Sequence, residues 1–186
     1  MRRILFLFIL FLGVSCNSKD QWIDDINDQV KEYNRNAELA EEEYLVDSGT
    51  STAIFVAPYK EQNGIRKTVY RHMRTEVMYF ERHIFFRGDT IIYEHHVGIA
   101  PRLVEAEGRG VKASNYAIFN KQSFFKNKEA GKQYRQQTLV EEFVPKDSVL
   151  SIVKDLDIEE SFLYLKDYLE INNYLKDIAA FERIEE

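Results

Sequence analysis

The sequence predicts an α+β domain with an N-terminal helix, then an antiparallel meander sheet of about five or six strands, then C-terminal helices. Three observations predict it. A stripe of apolar residues at helical spacing runs from Trp22 to Tyr44. The stretch from Thr52 to Val144 is rich in β-branched and aromatic residues broken by turn signals. Helical spacing then returns after Pro145.

The first helix rests on Trp22, Ile26, Val30, Tyr33, Ala37, Ala40 and Tyr44, which recur every three or four residues with Asp, Glu and Asn between them. One face is apolar and the other is solvated, which predicts a helix over about 20–45. Ser18 and Gln21 offer a capping box ahead of it, and Asp47-Ser48-Gly49 ends it. Thr52–Tyr59 then reads as a strand, Asn63-Gly64 as a tight turn and Arg66–Met73 as the returning strand. Val77–Phe86 and Thr90–Val97, joined through Gly88-Asp89, form the clearest hairpin. Val69, Met73, Val77, Phe80 and Ile84 also fall at helical spacing, but aromatic and β-branched enrichment favours strands. Ser114–Phe119 and Gln133–Val144 read as further strands around a Lys/Asn/Gly-rich loop near 126–132. Beyond Pro145, Asp147 or Ser148 caps a short helix with Val149, Ile152 and Val153. Asp157 caps a longer one with Phe162, Leu165, Leu169, Leu175, Ile178 and Phe181, with a break possible at Asn172-Asn173.

The chain has 186 residues, enough for one ordinary domain. Its single Cys excludes a disulfide framework or a zinc site built on several thiolates. A net charge of −6 argues against nucleic acid as a partner. The charge is unevenly placed: residues 16–50 hold 3 basic and 10 acidic side chains, residues 51–140 hold 15 and 8, and residues 141–186 hold 5 and 13. Either the acidic ends neutralise the basic centre internally, or a basic face stays open to an anionic partner.

The most specific signal is the N-terminus, MRRILFLFILFLGVSC. Arg2 and Arg3 precede an unbroken apolar run from Ile4 to Leu12, which is too short to span a bilayer and has the layout of a secretory signal. Gly13, Val14 and Ser15 lead directly into Cys16. This junction resembles the lipobox of bacterial lipoproteins, with Gly13 where Leu is common. The resemblance implies a signal peptide at 1–15, a lipidated tether at 16–19 and one folded domain at 20–186. It implies diacylglycerol on the Cys16 thiol and a fatty acyl group such as palmitate on the new amine, and no other cofactor. Asn17 stands where an Asp would favour inner-membrane retention, so the expected location is the cell envelope, outer membrane ahead of inner. Asn17-Ser18-Lys19-Asp20 is similar to the charged export signals of Bacteroidota lipoproteins.

All four His lie between positions 72 and 96. If Gly88-Asp89 is a two-residue turn with Arg87 opposite Thr90, His83 faces Glu94 and Glu81 faces His96. Glu81, His83, Glu94 and His96 then make a square of ligand types suited to zinc or a similar ion, or two ordinary cross-strand ion pairs. The opposite face would carry Met78, Phe80, Ile84, Phe86, Ile91, Tyr93 and Val97, with Arg82 and His95 as polar exceptions. Lys121, Lys126, Lys128 and Lys132, interleaved with Phe119, Phe124 and Phe125, are candidates for contact with an anion, a glycan or a protein partner. Glu141-Glu142 and Glu159-Glu160 read as solvated charges, and no Gly-x-Ser-x-Gly elbow is present.

The leading expectation is therefore a non-catalytic binding or accessory lipoprotein that engages another envelope macromolecule. The alternatives are a ligand-binding or immunity-type lipoprotein that captures an anionic molecule or toxin, and a metal-dependent enzyme built on the His/Glu square.

Overall fold

The computed structural model describes residues 20–106 and 110–184. Cys16 and the leader and tether expected around it lie outside the described residues. Helix α1 (Gln21–Arg35) is followed by strands β1 (Tyr44–Asp47), β2 (Ala53–Pro58), β3 (Ile65–Arg74), β4 (Met78–Arg87), β5 (Thr90–Ala106), β6 (Gly110–Asn127) and β7 (Ala130–Val140). Then come α2 (Lys146–Val153), β8 (Glu159–Tyr164), α3 (Leu165–Ala179) and β9 (Glu182–Ile184). The nine strands form one antiparallel sheet in the order β8-β7-β6-β5-β4-β3-β2-β1-β9. Each strand from β1 to β8 lies beside its chain neighbour, and β9 closes against β1.

This corrects the expected architecture. The sheet has nine strands rather than five or six, and it dominates three short helices instead of balancing them. The N-terminal helix stops at Arg35, not near 45. Ala37, Ala40 and Tyr44 continue the helical spacing, but their backbone is bonded elsewhere. The Ala40 N–H donates to the Pro58 carbonyl, the Lys60 N–H donates to the Glu38 carbonyl, and Tyr44 pairs with Val56 in the sheet. A ladder partner supplied by distant chain outcompetes the local helical bond, which is a tertiary override of periodicity. The same override acts at the other end. Ser161 to Leu163 pair with Gly131 to Gln133, so the helix expected from Asp157 starts only at Leu165. There the Asp167 carboxylate accepts the Tyr164 N–H at 2.7 Å. Asn172 and Asn173 do not interrupt it.

The turns follow the sequence more closely. Asn63 and Gly64 both take left-handed backbone, and Gly88 does so at the β4–β5 turn, as the short hairpin connections there require. Strands β5 and β6 are much longer than expected. Pro101 sits within β5, yet β4 pairs with β5 only as far as Tyr79 opposite Ile99. Pro101 thus lies where β5 has no β4 partner among the described residues, and its missing donor costs no ladder bond there.

Both sheet faces are covered, by different helices. Ile23, Ile26, Val30 and Tyr33 of α1 pack on Ile65, Phe85, Ile92, Tyr93 and Phe124. Val149 and Val153 of α2 pack on Tyr79, Val97, Ile99 and Ile118 of the same, front face. On the back face, Tyr168 and Ile171 of α3 pack on Ile84, Phe86, Ile91, Phe125 and Leu163. Ile178 reaches Val46, Ile54 and Val56. Burying each such side chain removes it from water at a gain of about 1.5–3 kcal/mol.

Some of the charge is paired within the fold. Acidic residues of the N-terminal segment pair with the basic centre through Lys60–Glu38 at 2.9 Å, Arg71–Glu43 and Lys132–Asp20 at 3.0 Å. The C-terminal segment does the same through Lys132–Glu160 at 2.9 Å and Arg135–Glu159 at 2.5 Å. The uneven charge distribution in the sequence is therefore in part internal complementarity, carried by Lys60, Arg71, Lys132 and Arg135.

Two positions have no room for a side chain, Gly98 and Gly131, where a Cβ would meet the Phe124 carbonyl oxygen. A Cβ at Gly98 would run into the Phe80 Cβ and the Tyr79 backbone on the neighbouring strand. Gly98→Ala is expected to destabilise the domain by about 1–3 kcal/mol, as overpacking does. Urea unfolding measures it, and an unchanged midpoint would show that β4 and β5 separate freely there.

Candidate functional site

The hairpin register decides the His/Glu square. Arg87 does lie opposite Thr90 and Phe86 opposite Ile91, but Phe85 lies opposite Tyr93, leaving Ile92 as an extra residue. This bulge moves every later pair by one residue. Glu81 faces Val97, His83 faces His95, Arg82 faces His96 and Ile84 faces Glu94. Glu81 and His83 therefore point to the front face, and Glu94 and His96 to the back. The four proposed metal ligands are not brought together, and no group of three or more His, Cys, Asp or Glu able to hold a metal ion occurs among the described residues. The apolar face expected on this hairpin divides in the same way. Phe80, Ile84, Phe86 and Ile91 go to the back and Tyr93 and Val97 to the front.

In place of the square, the structure builds two polar clusters, one on each face of the same strands. On the front face, a row of polar side chains crosses four strands, hydrogen-bonded on either side of a His83–His95 ring contact. Glu81 accepts from the Lys146 Nζ at 2.9 Å and from the Tyr79 hydroxyl, and lies 3.0 Å from the His83 Nε2. The His83 and His95 rings stand 5.7 Å apart. His95 Nε2 lies 2.8 Å from the Asn120 Oδ1, Asn120 donates to Gln136 at 3.1 Å, and Gln136 donates to the Val153 and Leu156 carbonyls at 2.9 Å. Those last acceptors sit at the C-terminal end of α2, so the row also fastens that helix to the sheet. Burial alone would raise the Glu81 pKa. Hydrogen bonds from His83, Tyr79 and Lys146 outweigh it and hold the carboxyl well below the usual range. Burial pushes His95 down, partly opposed by its bond to Asn120.

On the back face, Arg82 and Glu94 form an ion pair, with nitrogen–oxygen distances of 2.5 and 2.6 Å and side chains 10% and 4% exposed. The Arg82 guanidinium lies 4.0 Å over the Tyr174 ring of α3. The Tyr174 hydroxyl lies 2.7 Å from the His72 Nε2, and His72 stacks on Phe80 at 4.3 Å. His96 sits edge-on between Phe80 at 5.2 Å and Phe119 at 4.7 Å, and both its ring nitrogens are buried without a partner. Burial first, and the nearby Arg82 charge second, push His72 down to about 4. The same two causes, with Lys121 added, push His96 well below its ordinary value. All three buried imidazoles are neutral at pH 7.

Sequence reasoning registered Arg82 and His95 only as polar exceptions on an apolar face. The signal available was that two unlike polar side chains stood on core positions of adjacent strands, which requires partners. Those partners, Glu94 for one and Asn120 for the other, become visible only with the register.

The four lysines are not brought to one place either. Lys121 lies on the back face beside Arg135, and Lys132 on the front face between Asp20 and Glu160. Lys126 and Lys128 are exposed around the β6–β7 turn, with no ion pair among the described residues. Lys126 and Lys132 do share one groove of about 270 Å³ with Asp20, Trp22, Ala130, Gly131 and Phe162. Lys132 there also lies 5.8 Å over the Phe162 ring.

A second hollow, of about 440 Å³, lies towards the other end of the sheet and is lined by Arg102, Ala117, Gln137, Thr138 and Leu139. Among the described residues no helix is long and apolar enough to cross a membrane. Comparison of the chain with protein-family models, with curated proteins and with solved structures finds no match.

Proposed function

We propose that the chain is an envelope lipoprotein, held in the outer membrane by acyl chains on Cys16. Its folded domain is a non-catalytic module that binds another envelope macromolecule, a protein or a glycan. The anchor rests on the lipobox-like junction of the sequence. The binding role rests on one feature of the sheet. Strands β5 and β6 outrun their neighbours, because β4 pairing ends at Ile99 and β7 pairing ends at Tyr116. Beyond those points Leu103–Ala106 and Gly110–Ala113 pair with each other, and neither stretch is paired with a third strand among the described residues. Free strand edges accept an added strand from a partner, and the apolar Leu139, 47% exposed at the adjoining hollow, suits side-chain contact.

Capture of an anionic molecule or toxin is the weaker reading. Arg71, Arg82, Lys132 and Arg135 are occupied by carboxylates of the chain itself. Metal-dependent catalysis on the His/Glu square is set aside, since its residues lie on opposite faces.

Photo-crosslinking in the native host tests the reading. A benzophenone side chain at Leu139 is expected to give one defined envelope adduct, lost when Cys16→Ala removes the anchor. The same probe at Glu32 on α1 is expected to give none. Equal adducts from both positions, or none from Leu139 in anchored protein, would overturn the binding role while leaving the anchor standing.

A further inference from the structure

We infer that the groove at the start of α1 is a membrane-docking face, and that its occupant is the leaflet holding the acyl chains of Cys16. The inference rests on the lipidation proposed above and adds a protein surface to it. The groove lies where the chain enters the fold: Asp20 and Trp22 line it together with Lys126, Lys132 and Phe162. Between Cys16 and Asp20 there are four residue steps, which span at most about 14 Å of chain. If the thiol carries diacylglycerol, Asp20 is held within that distance of the headgroups, and the groove is the part of the domain nearest to them.

The chemistry around the groove fits an interface between water and lipid. Phe162 and Tyr164 alternate along β8 and so share the front face, and they are 66% and 59% exposed. Ile158, 64% exposed, precedes them in the chain. Trp22 is half-buried beside them. Trp and Tyr rings with an apolar body and a polar edge settle at the headgroup level of a bilayer. Lys126 and Lys128 face outward next to this face, placed to meet anionic headgroups. Lys132 is neutralised by Asp20 and Glu160, so the patch carries little net charge, and the rings rather than the lysines carry the docking. High salt therefore leaves the docking in place.

The orientation that follows agrees with the proposed binding role. The β4–β5 and β6–β7 turns lie at the groove end of the sheet, while β5 runs from there to Ala106 at the other end. From Tyr93 to Ala106 this is about 43 Å of strand at 3.3 Å per residue. Docking the groove on the leaflet directs the open β5–β6 ribbon away from it.

Trp22 is the only Trp in the chain, so its fluorescence reports this face alone. The full-length protein, processed in a bacterial host and extracted in detergent, is reconstituted into vesicles of phosphatidylethanolamine and phosphatidylglycerol. Some vesicles carry bromine on the upper acyl chain and others on its distal end. Trp22 emission is expected to fall by about a third or more with upper-chain bromine and to fall less with distal bromine, as for a ring at the interface. Phe162→Ser combined with Tyr164→Ser, both at exposed positions, is expected to abolish most of that quenching. Mass spectrometry of the N-terminal peptide is read in parallel. If Cys16 carries no acyl group, the anchoring proposal fails and this inference fails with it. If Cys16 is acylated and the protein is vesicle-bound but Trp22 is unquenched, the docking inference alone fails. Unquenched emission that varies with the protein-to-lipid ratio would give the face to a second copy of the chain.

Discussion

Lowering the pH from 7 to 5 is expected to cost this domain about 2 kcal/mol of stability through His72 alone, with His95 and His96 adding in the same direction. The sign follows from burial. In the folded protein His72 is buried beside the Tyr174 hydroxyl and the Phe80 ring, and that burial first, with the Arg82 charge second, pushes it down to about 4. In the unfolded chain it titrates near 6.5. Between these values the unfolded state binds the extra proton, so stability is full above about 6.5 and falls as the pH drops towards 4. His95 and His96 are also held neutral by burial and steepen the fall. Glu81 does not contribute in this window. Its carboxyl is held below the usual range, so its share of stability is lost only on further acidification through that lower pKa. Urea unfolding at pH 7 and pH 5 measures the difference. His72→Gln, which keeps a hydrogen-bonding group for Tyr174 but does not titrate, is expected to make the pH dependence shallower by about one proton. A midpoint independent of pH between 7 and 5 would mean that these rings are solvated in the folded state.

Arg82→Met is expected to destabilise the domain by about 3–5 kcal/mol. The substitution leaves the Glu94 carboxylate, 4% exposed, without the cation that lies 2.5 Å from it. It also removes the guanidinium from the Tyr174 ring, where α3 meets the sheet. The double variant Arg82→Met with Glu94→Leu is expected to recover most of the loss, because a buried ion pair is worth little more than an apolar pair of similar volume. A double-mutant cycle by urea unfolding reads both numbers. If the double variant is as unstable as the single one, the loss lies in the contact with Tyr174, and Tyr174→Leu should then reproduce it alone.

The sequence by itself determined what chain-local chemistry determines. The proposed address rests on the apolar run into Cys16 alone, because a secretory signal and a lipobox are read as linear segments. Asn63-Gly64 and Gly88-Asp89 announced their turns through residues suited to left-handed backbone. The hairpins between Thr52 and Phe86, the apolar face of α1 and the short helix after Pro145 were also legible, since each depends on neighbours a few residues away.

Tertiary structure decided the rest. Residues 37–44 carry helical spacing but take their backbone partners from β2 and its flank, and Glu159–Tyr164 becomes an edge strand because β7 offers it a ladder. Both sheet faces are buried under helices, so the rule of one apolar and one polar face could not identify which hairpin residues point inward. The candidate site turned on a single extra residue, Ile92. Side chains alternate with a period of two along a strand, so one added residue sends everything beyond it to the opposite face. Glu81 and His83 were thereby parted from Glu94 and His96, and Arg82 came to share a face with Glu94 and His96. No property of the individual residues distinguishes these outcomes. Only the summed packing of α1 against Ile92, Tyr93 and Phe85 on one face, and of α3 against Ile91 and Phe86 on the other, fixes the bulge where it is.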